Sequence, residues 1–279
     1  MKRNPPCPRC GQATASNGCL KIKKAEAKKY FCPHCKKSFS TFTNTVFHYL
    51  EAPCEVVAWS LEFMQTFGLS LAQTKLAVER LFKFNVSVGT LSSWNRKFNA
   101  TSVELPRTEF SRVWHVDEMF LKHETRFPGG KHKSFTYLWV VSDDAQRVIA
   151  LLHSENRDLQ AAKQVLMKAR HAAGFVPRVI VSDEFAAYPR AIRAVLRGAL
   201  HVQAHFKTQN FFWQGSGWSL SNNSAESLNS RLRDRLRRKR GVKSFEAAKR
   251  FFDCLQRVWN SRFVASLARA LLATIPSAA

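Results

Sequence analysis

From Val113 onward the apolar residues change period in an order that few folds can accept. Segments 113–121, 135–141 and 148–152 are apolar runs of strand length, separated by Phe127-Pro128-Gly129-Gly130 and by Asp143-Asp144. Residues 157–173 then place Leu159, Ala162, Val165, Leu166 and Ala169 at helical spacing. A short apolar strand, Val179-Ile180-Val181-Ser182-Asp183, follows, then a helix over 186–197 and a strand over 201–206. A helix from Asn222-Asn223 to about Arg240 and a last one over 244–262 complete the pattern. Three meandering strands followed by crossovers predict an α/β fold, a mixed sheet flanked by helices. The order βββαβαβα is that of an RNase H-like fold.

The same segment presents acids where strands and helices begin or end. Asp117 interrupts an apolar strand, where an ionised group is costly unless it binds something. Asp183 stands at the C-terminal tip of a strand, where open α/β sheets collect ligands. Glu226 lies in the first turn of the helix after Asn222-Asn223. Singly, Asp117 reads as well as a strand-edge residue, Asp183 as a helix N-cap and Glu226 as a capping-box partner of Asn223. Jointly, on a basic chain, Asp117, Asp183 and Glu226 are the expected catalytic residues and the expected ligands of two Mg2+ (or Mn2+) ions. Crowded carboxylates repel unless divalent cations neutralise them, and a pair of such ions serves an in-line displacement at phosphorus. Glu118 and Glu184 are adjacent acids outside this scheme; strand alternation turns Glu118 to the face opposite Asp117.

Charge names the partner. With 44 Lys and Arg against 20 Asp and Glu, the net charge is +24. Such a chain attracts polyanions, and double-stranded DNA is the expected partner. The helix after Glu226 carries Arg231, Arg233, Arg235, Arg237, Arg238, Lys239 and Arg240 against the single acid Asp234, too one-sided for a merely solvated face. An anionic membrane fits less well. No run approaches the length of a membrane span, and the start, Met1-Lys2-Arg3-Asn4-Pro5-Pro6-Cys7, has no apolar region of a signal peptide. A cytoplasmic, thiol-reducing setting is therefore expected.

In that setting the cysteines read as metal ligands. Cys7-Pro8-Arg9-Cys10 and Cys32-Pro33-His34-Cys35 are two knuckles with residues 11–31 between them. Cys7, Cys10, Cys32 and Cys35 supply the four thiolates that one structural Zn2+ wants, which predicts a zinc ribbon over 1–45. Cys19 reads as a spare thiol, Cys54 and Cys254 as ordinary buried cysteines, and His34 as a turn residue. Between ribbon and sheet, residues 53–99 show three helical periods. The first carries Val56, Val57, Trp59, Ser60, Phe63, Met64 and Phe67 and ends at Gly68; the second, capped by Ser70, carries Leu71, Leu76, Val78, Leu81 and Phe82. The third runs from Thr90 with Leu91, Trp94 and Phe98 inward, and leaves Ser92, Ser93, Asn95, Arg96 and Lys97 outward for DNA. Alone, this is as well a plain three-helix bundle as a helix-turn-helix; the charge and the adjoining ribbon favour the helix-turn-helix. Residues 99–106 read as a linker and 107–279 as the α/β domain. Trp213 and Trp218 stand as loop anchors or as a platform for an end base.

Three segments carry a family resemblance: Trp114-His115-Val116-Asp117-Glu118, Ser182-Asp183 with Tyr188-Pro189 and Ala191-Ile192, and Asn222-Asn223 with Glu226. Their order resembles the three-carboxylate (DDE) transposases of insertion sequences, and within them insertion-sequence family six and its archaeal relatives. The basic stretch after Glu226, Arg233 to Ser244, is similar too, and the N-terminal extension resembles that of members with a ribbon and helix-turn-helix. The resemblance implies Asp117, Asp183 and Glu226 as metal ligands. It also implies cleavage at insertion-sequence ends, strand transfer of a 3′-OH into target DNA, terminal inverted repeats as partners, and a homodimer or higher assembly on DNA. This chain departs in the length of segment 184–225 and in Asp144-Ala145 where an Asp-Gly turn is expected. A catalytically silent DNA-binding regulator and a nuclease without strand transfer are the rival functions.

Overall fold

The computed structural model describes residues 4–22, 25–101, 109–127, 130–204, 223–238, 245–260 and 266–275. Packing divides the chain into two units, Met1–Pro106 with Ser261–Ala279, and Arg107–Asn260. No helix among the described residues is long and apolar enough to cross a membrane.

In the first unit, β1 (Ala15–Ile22), β2 (Ala25–Cys32) and β3 (Lys37–Ser40) form a small antiparallel sheet in that order. The β2–β3 turn sets Cys32 opposite Lys37, with Lys36 in the left-handed region at φ 53°. Gly11, φ 73°, closes the facing turn by donating its N–H to the Cys7 carbonyl at 2.8 Å. Three helices follow: α1 (Cys54–Gln65), α2 (Leu71–Phe82) and α3 (Val88–Ala100). Ser70 and Gln73 form a reciprocal capping box at the start of α2. Ser87 Oγ accepts from Thr90 N at 3.0 Å, so α3 begins inside the stretch expected to be a turn. Leu91, Trp94 and Phe98 are buried, as their spacing predicts.

The apolar faces of α1 and α2 are narrower than the spacing suggested. Val56, Val57, Leu61 and Met64 are buried, but Trp59 and Phe63 are half-buried and Phe67 is 52% exposed. The three rings instead run along the helix, 6.1 and 6.3 Å between successive centroids. On α2, Val78 and Thr74 enter the core, and Leu76 and Leu81 stay exposed. A helix buries only the stripe its neighbours cover.

The second unit is a five-stranded mixed sheet of RNase H-like topology: β4 (Val113–Phe127), β5 (Gly130–Asp143), β6 (Val148–Ser154), β7 (Val179–Ser182) and β8 (Leu200–Gln203). Their spatial order is β6-β5-β4-β7-β8, with β4, β5 and β6 antiparallel and β7 and β8 parallel to β4. The strand expected over 201–206 stops at Gln203, and Phe206 lies outside the described residues. β4 and β5 pair as far as Phe127 and Gly130, past the last β6 and β7 partners, so the expected hairpin loop is a long two-stranded ribbon.

Helices cover both faces. On one, α4 (Leu159–Ala173) and α5 (Tyr188–Val195) pack Ala162, Val165, Leu166, Ala191 and Ile192 onto Trp114, Val116 and Trp139. On the other, α6 (Asn223–Arg238) and α7 (Phe245–Trp259) pack Leu228, Leu232, Phe252 and Leu255 onto Met119, Leu121, Leu138 and Val140. Edge strand β6 is closed by two amides: Gln256 bonds Leu151 N and the Ile149 carbonyl at 3.1 and 3.2 Å, and Asn260 bonds Val148 N and its carbonyl at 2.8 and 2.7 Å. The last described helix, α8 (Leu267–Ala273), belongs to the first unit, which corrects the expected boundary at 279. The cause is Glu62 of α1, whose buried carboxylate accepts from Ser266 Oγ at 2.8 Å and Ala268 N at 2.7 Å.

Candidate active site and nucleic-acid interface

The carboxylates meet because of strand register. β4 and β7 run parallel with Val116 beside Ser182, so the next residues, Asp117 and Asp183, fall side by side where β7 ends. Oxygens of Asp117, Glu118 and Asp183 all lie within 4.8 Å of one another. Asp117 Oδ1 accepts from Glu118 N at 2.9 Å, and Oδ2 accepts from Asn229 Nδ2 at 2.7 Å. Asp183 Oδ1 accepts from Phe185 N at 3.0 Å. Burial pushes Asp117 up to about 7, helped by the charges of Glu118 and Asp183 and opposed by its hydrogen bonds.

Glu118 was expected to stand apart, and this is corrected. Alternation does turn it to the α4–α5 face, where it is 9% exposed. There it accepts from Arg157 Nε at 2.6 Å and from the Tyr188 hydroxyl. Among the described residues β4 has no strand partner on the β7 side at this level, and an oxygen of Glu118 reaches the Asp117–Asp183 edge. The Arg157 guanidinium also lies over the Phe185 ring, 4.1 Å from its centroid, and Phe185 meets Tyr188 edge-on at 5.5 Å. Glu118, Arg157 and Tyr188 thereby brace the loop that carries Asp183. Burial, with Glu118 beside it, holds the Tyr188 hydroxyl well above its ordinary range, so it stays a donor.

Glu226 is the member of the expected trio that stands off. It is exposed, in the first turn of α6, and is not among the three acids within 4.8 Å. One turn later Asn229 docks on Asp117, which puts Glu226 on the neighbouring stretch of the helix face turned to that acid. Sequence reasoning missed Asn229, Arg157 and Tyr188. The signal for Asn229 was its place three residues after Glu226. The Asn229 Oδ1 atom is buried beside the carboxylates with no hydrogen-bond partner among the described residues, and an all-oxygen donor set of this kind fits a hard divalent cation.

The four cysteines converge as their knuckles predict, with Cys7, Cys10, Cys32 and Cys35 Sγ atoms within 4.8 Å of one another. Cys7–Cys35 and Cys10–Cys32 are 4.0 and 3.6 Å apart. Tetrahedral thiolates at a Zn–S distance of about 2.3 Å stand about 3.8 Å apart, so the set fits Zn2+. Held together, the thiols part company as acids: the Arg9 backbone N–H lowers Cys7 to about 7, and hydrogen bonding with Cys10 raises Cys35 to about 12.

The expected DNA-binding residues sort by exposure. On α3, Ser93 and Arg96 are exposed and Ser92 and Lys97 half-buried. Asn95 is corrected to a structural role, since its side chain accepts from Gln65 of α1. On α6, Ala225, Leu228, Leu232 and Leu236 face the core, while Arg231, Arg233 and Arg237 are exposed. Arg235 instead leans on the Trp259 ring at 5.9 Å. Lys239, Arg240, Trp213 and Trp218 lie outside the described residues, as does the side chain of Arg238.

Among solved structures, the chain is similar to the simian T-cell lymphotropic virus intasome in complex with PP2A regulatory subunit B56 gamma. Identity is 15%, over 79% of this chain and 78% of that one, with a TM-score of 0.33. It is also similar to the Drosophila P element transposase strand transfer complex, at 14% identity over 51% of this chain and 36% of that one, TM-score 0.32. No curated protein matches its sequence. Residues 111–262 match the DDE domain of the IS240 type of transposase. That match spans the whole sheet with Asp117, Asp183 and Glu226 and takes in more than half of the chain, which therefore belongs to this DDE transposase domain family.

Proposed function

We propose that the protein is an active transposase that cuts DNA at the ends of an insertion sequence and joins the freed 3′-OH to target DNA. The observation that carries this reading is the juxtaposition of Asp117 and Asp183 by parallel register, with Asn229 of α6 docked on Asp117 and Glu226 one turn earlier on that helix. Asp117 and Asp183, with Glu226, would hold two Mg2+ or Mn2+ ions. Such ions, when bound, supply activation of the attacking oxygen and stabilisation of the leaving oxygen at phosphorus. Asn229 fixes the Asp117 carboxylate by holding Oδ2, and Phe185 N fixes Asp183 by holding Oδ1. Arg157 and Tyr188 occupy Glu118, so its charge is balanced on the far face of the sheet.

DNA is held elsewhere on the chain. The exposed arginines of α6 grip phosphates, and α3 enters a groove through Ser93 and Arg96, with Ser92 and Lys97 at its margin. Cys7, Cys10, Cys32 and Cys35 hold one structural Zn2+. The membership of family six, terminal inverted repeats as substrate and a dimer or larger assembly on DNA belong to the same reading.

A strand-transfer assay on DNA carrying an element end, with Mg2+, tests it. Asp183→Asn should abolish joined products and leave DNA binding within twofold. A wild-type chain that binds DNA yet is inert with Mg2+ and with Mn2+ would establish the silent regulator instead, and nicks without joined products the simple nuclease.

A further inference from the structure

The cysteine ribbon carries a cleft of about 400 Å³ beside Cys7 that the carboxylate chemistry does not use. Its walls hold three cations, Arg9, Lys29 and Lys37, and no Asp or Glu is among its lining residues. Cys7 shares the wall, and a zinc tetrathiolate there carries a net negative charge, but the three cations exceed it and focus their field on an anion. Ser38, Ser40 and Asn44 add hydrogen-bonding groups to the lining. At the rim stands Tyr49, 88% exposed, the most exposed large apolar side chain described. Its backbone is left-handed, φ 59°, a conformation a bulky residue adopts at a cost and that aims the ring outward here. One ring face stacks on His48, with centroids 3.8 Å apart and planes at 28°. At 88% exposure the other face is open.

We propose that this cleft binds one unpaired nucleotide of a DNA strand, with Arg9, Lys29 and Lys37 around the phosphate and Tyr49 stacked on the base. The size suits it: about 400 Å³ lies at the small end of ligand pockets, enough for a nucleotide and too little for a base pair with both its backbones. Ring stacking is available to any base, so the site is sequence-tolerant. Lys97 of α3 lies close enough for its charge to act on His48, so the cleft neighbours that helix. The inference rests on the cleft between the ribbon and Tyr49, and failure of the carboxylate chemistry would leave it standing.

The test uses the full chain, zinc-loaded and without Mg2+, and the anisotropy of fluorescein-labelled dT12 and of a 12-base-pair duplex. Tyr49→Ala should weaken dT12 binding about tenfold and leave duplex binding within twofold. Tyr49→Phe should bind dT12 as the wild type does. Lys37→Ala should weaken dT12 binding and lower the salt slope by about one. Unchanged dT12 affinity in Tyr49→Ala, or an equal loss for dT12 and duplex, would overturn the proposal. Because Tyr49 is 88% exposed, an unchanged far-ultraviolet circular dichroism spectrum is the expected control, and Tyr49→Phe separates stacking from any residual folding defect.

Discussion

The cysteine cluster and the carboxylate cluster are two answers to one problem, how to bring electron-rich groups within 4.8 Å of each other. In the ribbon, each pair of ligands comes from one tight turn, and a small antiparallel sheet joins the two turns. In the larger unit, Asp117 and Asp183 come from strands separated in sequence by two strands and a helix, and only the β4–β7 register unites them. The ribbon has little apolar core of its own, so its ligands and its fold stand or fall together. The carboxylates rest on a sheet whose two faces are already filled by Trp114, Trp139, Leu138 and their helices. On the proposed reading, a metal would make the first site and merely occupy the second.

Removing the metals is the strongest way to break that contrast. Chelation, or Cys32→Ser, should forfeit about 10–16 kcal/mol of zinc binding and unfold the ribbon. Hydrogen exchange should then show residues 15–40 unprotected and residues 113–203 unchanged. Protection lost in both regions would show that the sheet also depends on metal.

Smaller effects probe how the carboxylates are held without one. Arg157→Ala leaves Glu118 buried without its cation and should cost about 3 kcal/mol in urea unfolding, the low end for a broken buried pair because Arg157 keeps 33% of its side chain exposed. Adding Glu118→Gln should restore most of that loss. A cost that survives the second change would assign Arg157 to stacking on Phe185 and not to charge.

Asp117 gives a pH signature. Its pKa is raised from 3.8 to about 7, so its contribution to metal-free stability is fully present below pH 4 and is lost as pH rises through 7. Asp117→Asn should therefore stabilise the metal-free chain at pH 8, by on the order of 2 kcal/mol, and have little effect at pH 4. Mg2+ should raise the thermal midpoint of the wild type at pH 8 and not that of the variant. The smallest effect is local: Ser87→Ala removes the α3 cap and should cost about 1 kcal/mol by thermal unfolding, with carboxylate metal affinity unchanged.

Much of this was legible in the sequence, for a stateable reason. The knuckles, the Ser70 cap, the inward Leu91, Trp94 and Phe98, and the order of strands and helices all depend on residues a few positions apart. Asp117 and Asp183 were legible too, because a charge in an apolar strand and an acid at a strand tip are anomalies visible without knowing what lies across from them. What lay across from them was not legible. Strand alternation assigned Glu118 to the opposite face, correctly, but the early end of β7 is what opens the edge through which it reaches Asp117. That Asn229 and not Glu226 touches Asp117 depends on the rotation of α6 as its leucines settle on the sheet.

The same division holds for the ends of the chain's units. Nothing in the spacing of residues 267–273 says that they pair with α1; a buried Glu62 with two donors to accept from does. Nor does any local pattern show that Gln256 and Asn260 close the edge of β6. By itself the sequence determined the order of the elements, the Ser70 cap and which side chains could be candidates for metal chemistry, since those follow from short-range sterics and polarity. The tertiary structure alone decided which acid is braced, which is bare and which unit the last helix joins, because those depend on register and docking between segments that meet only when the core closes.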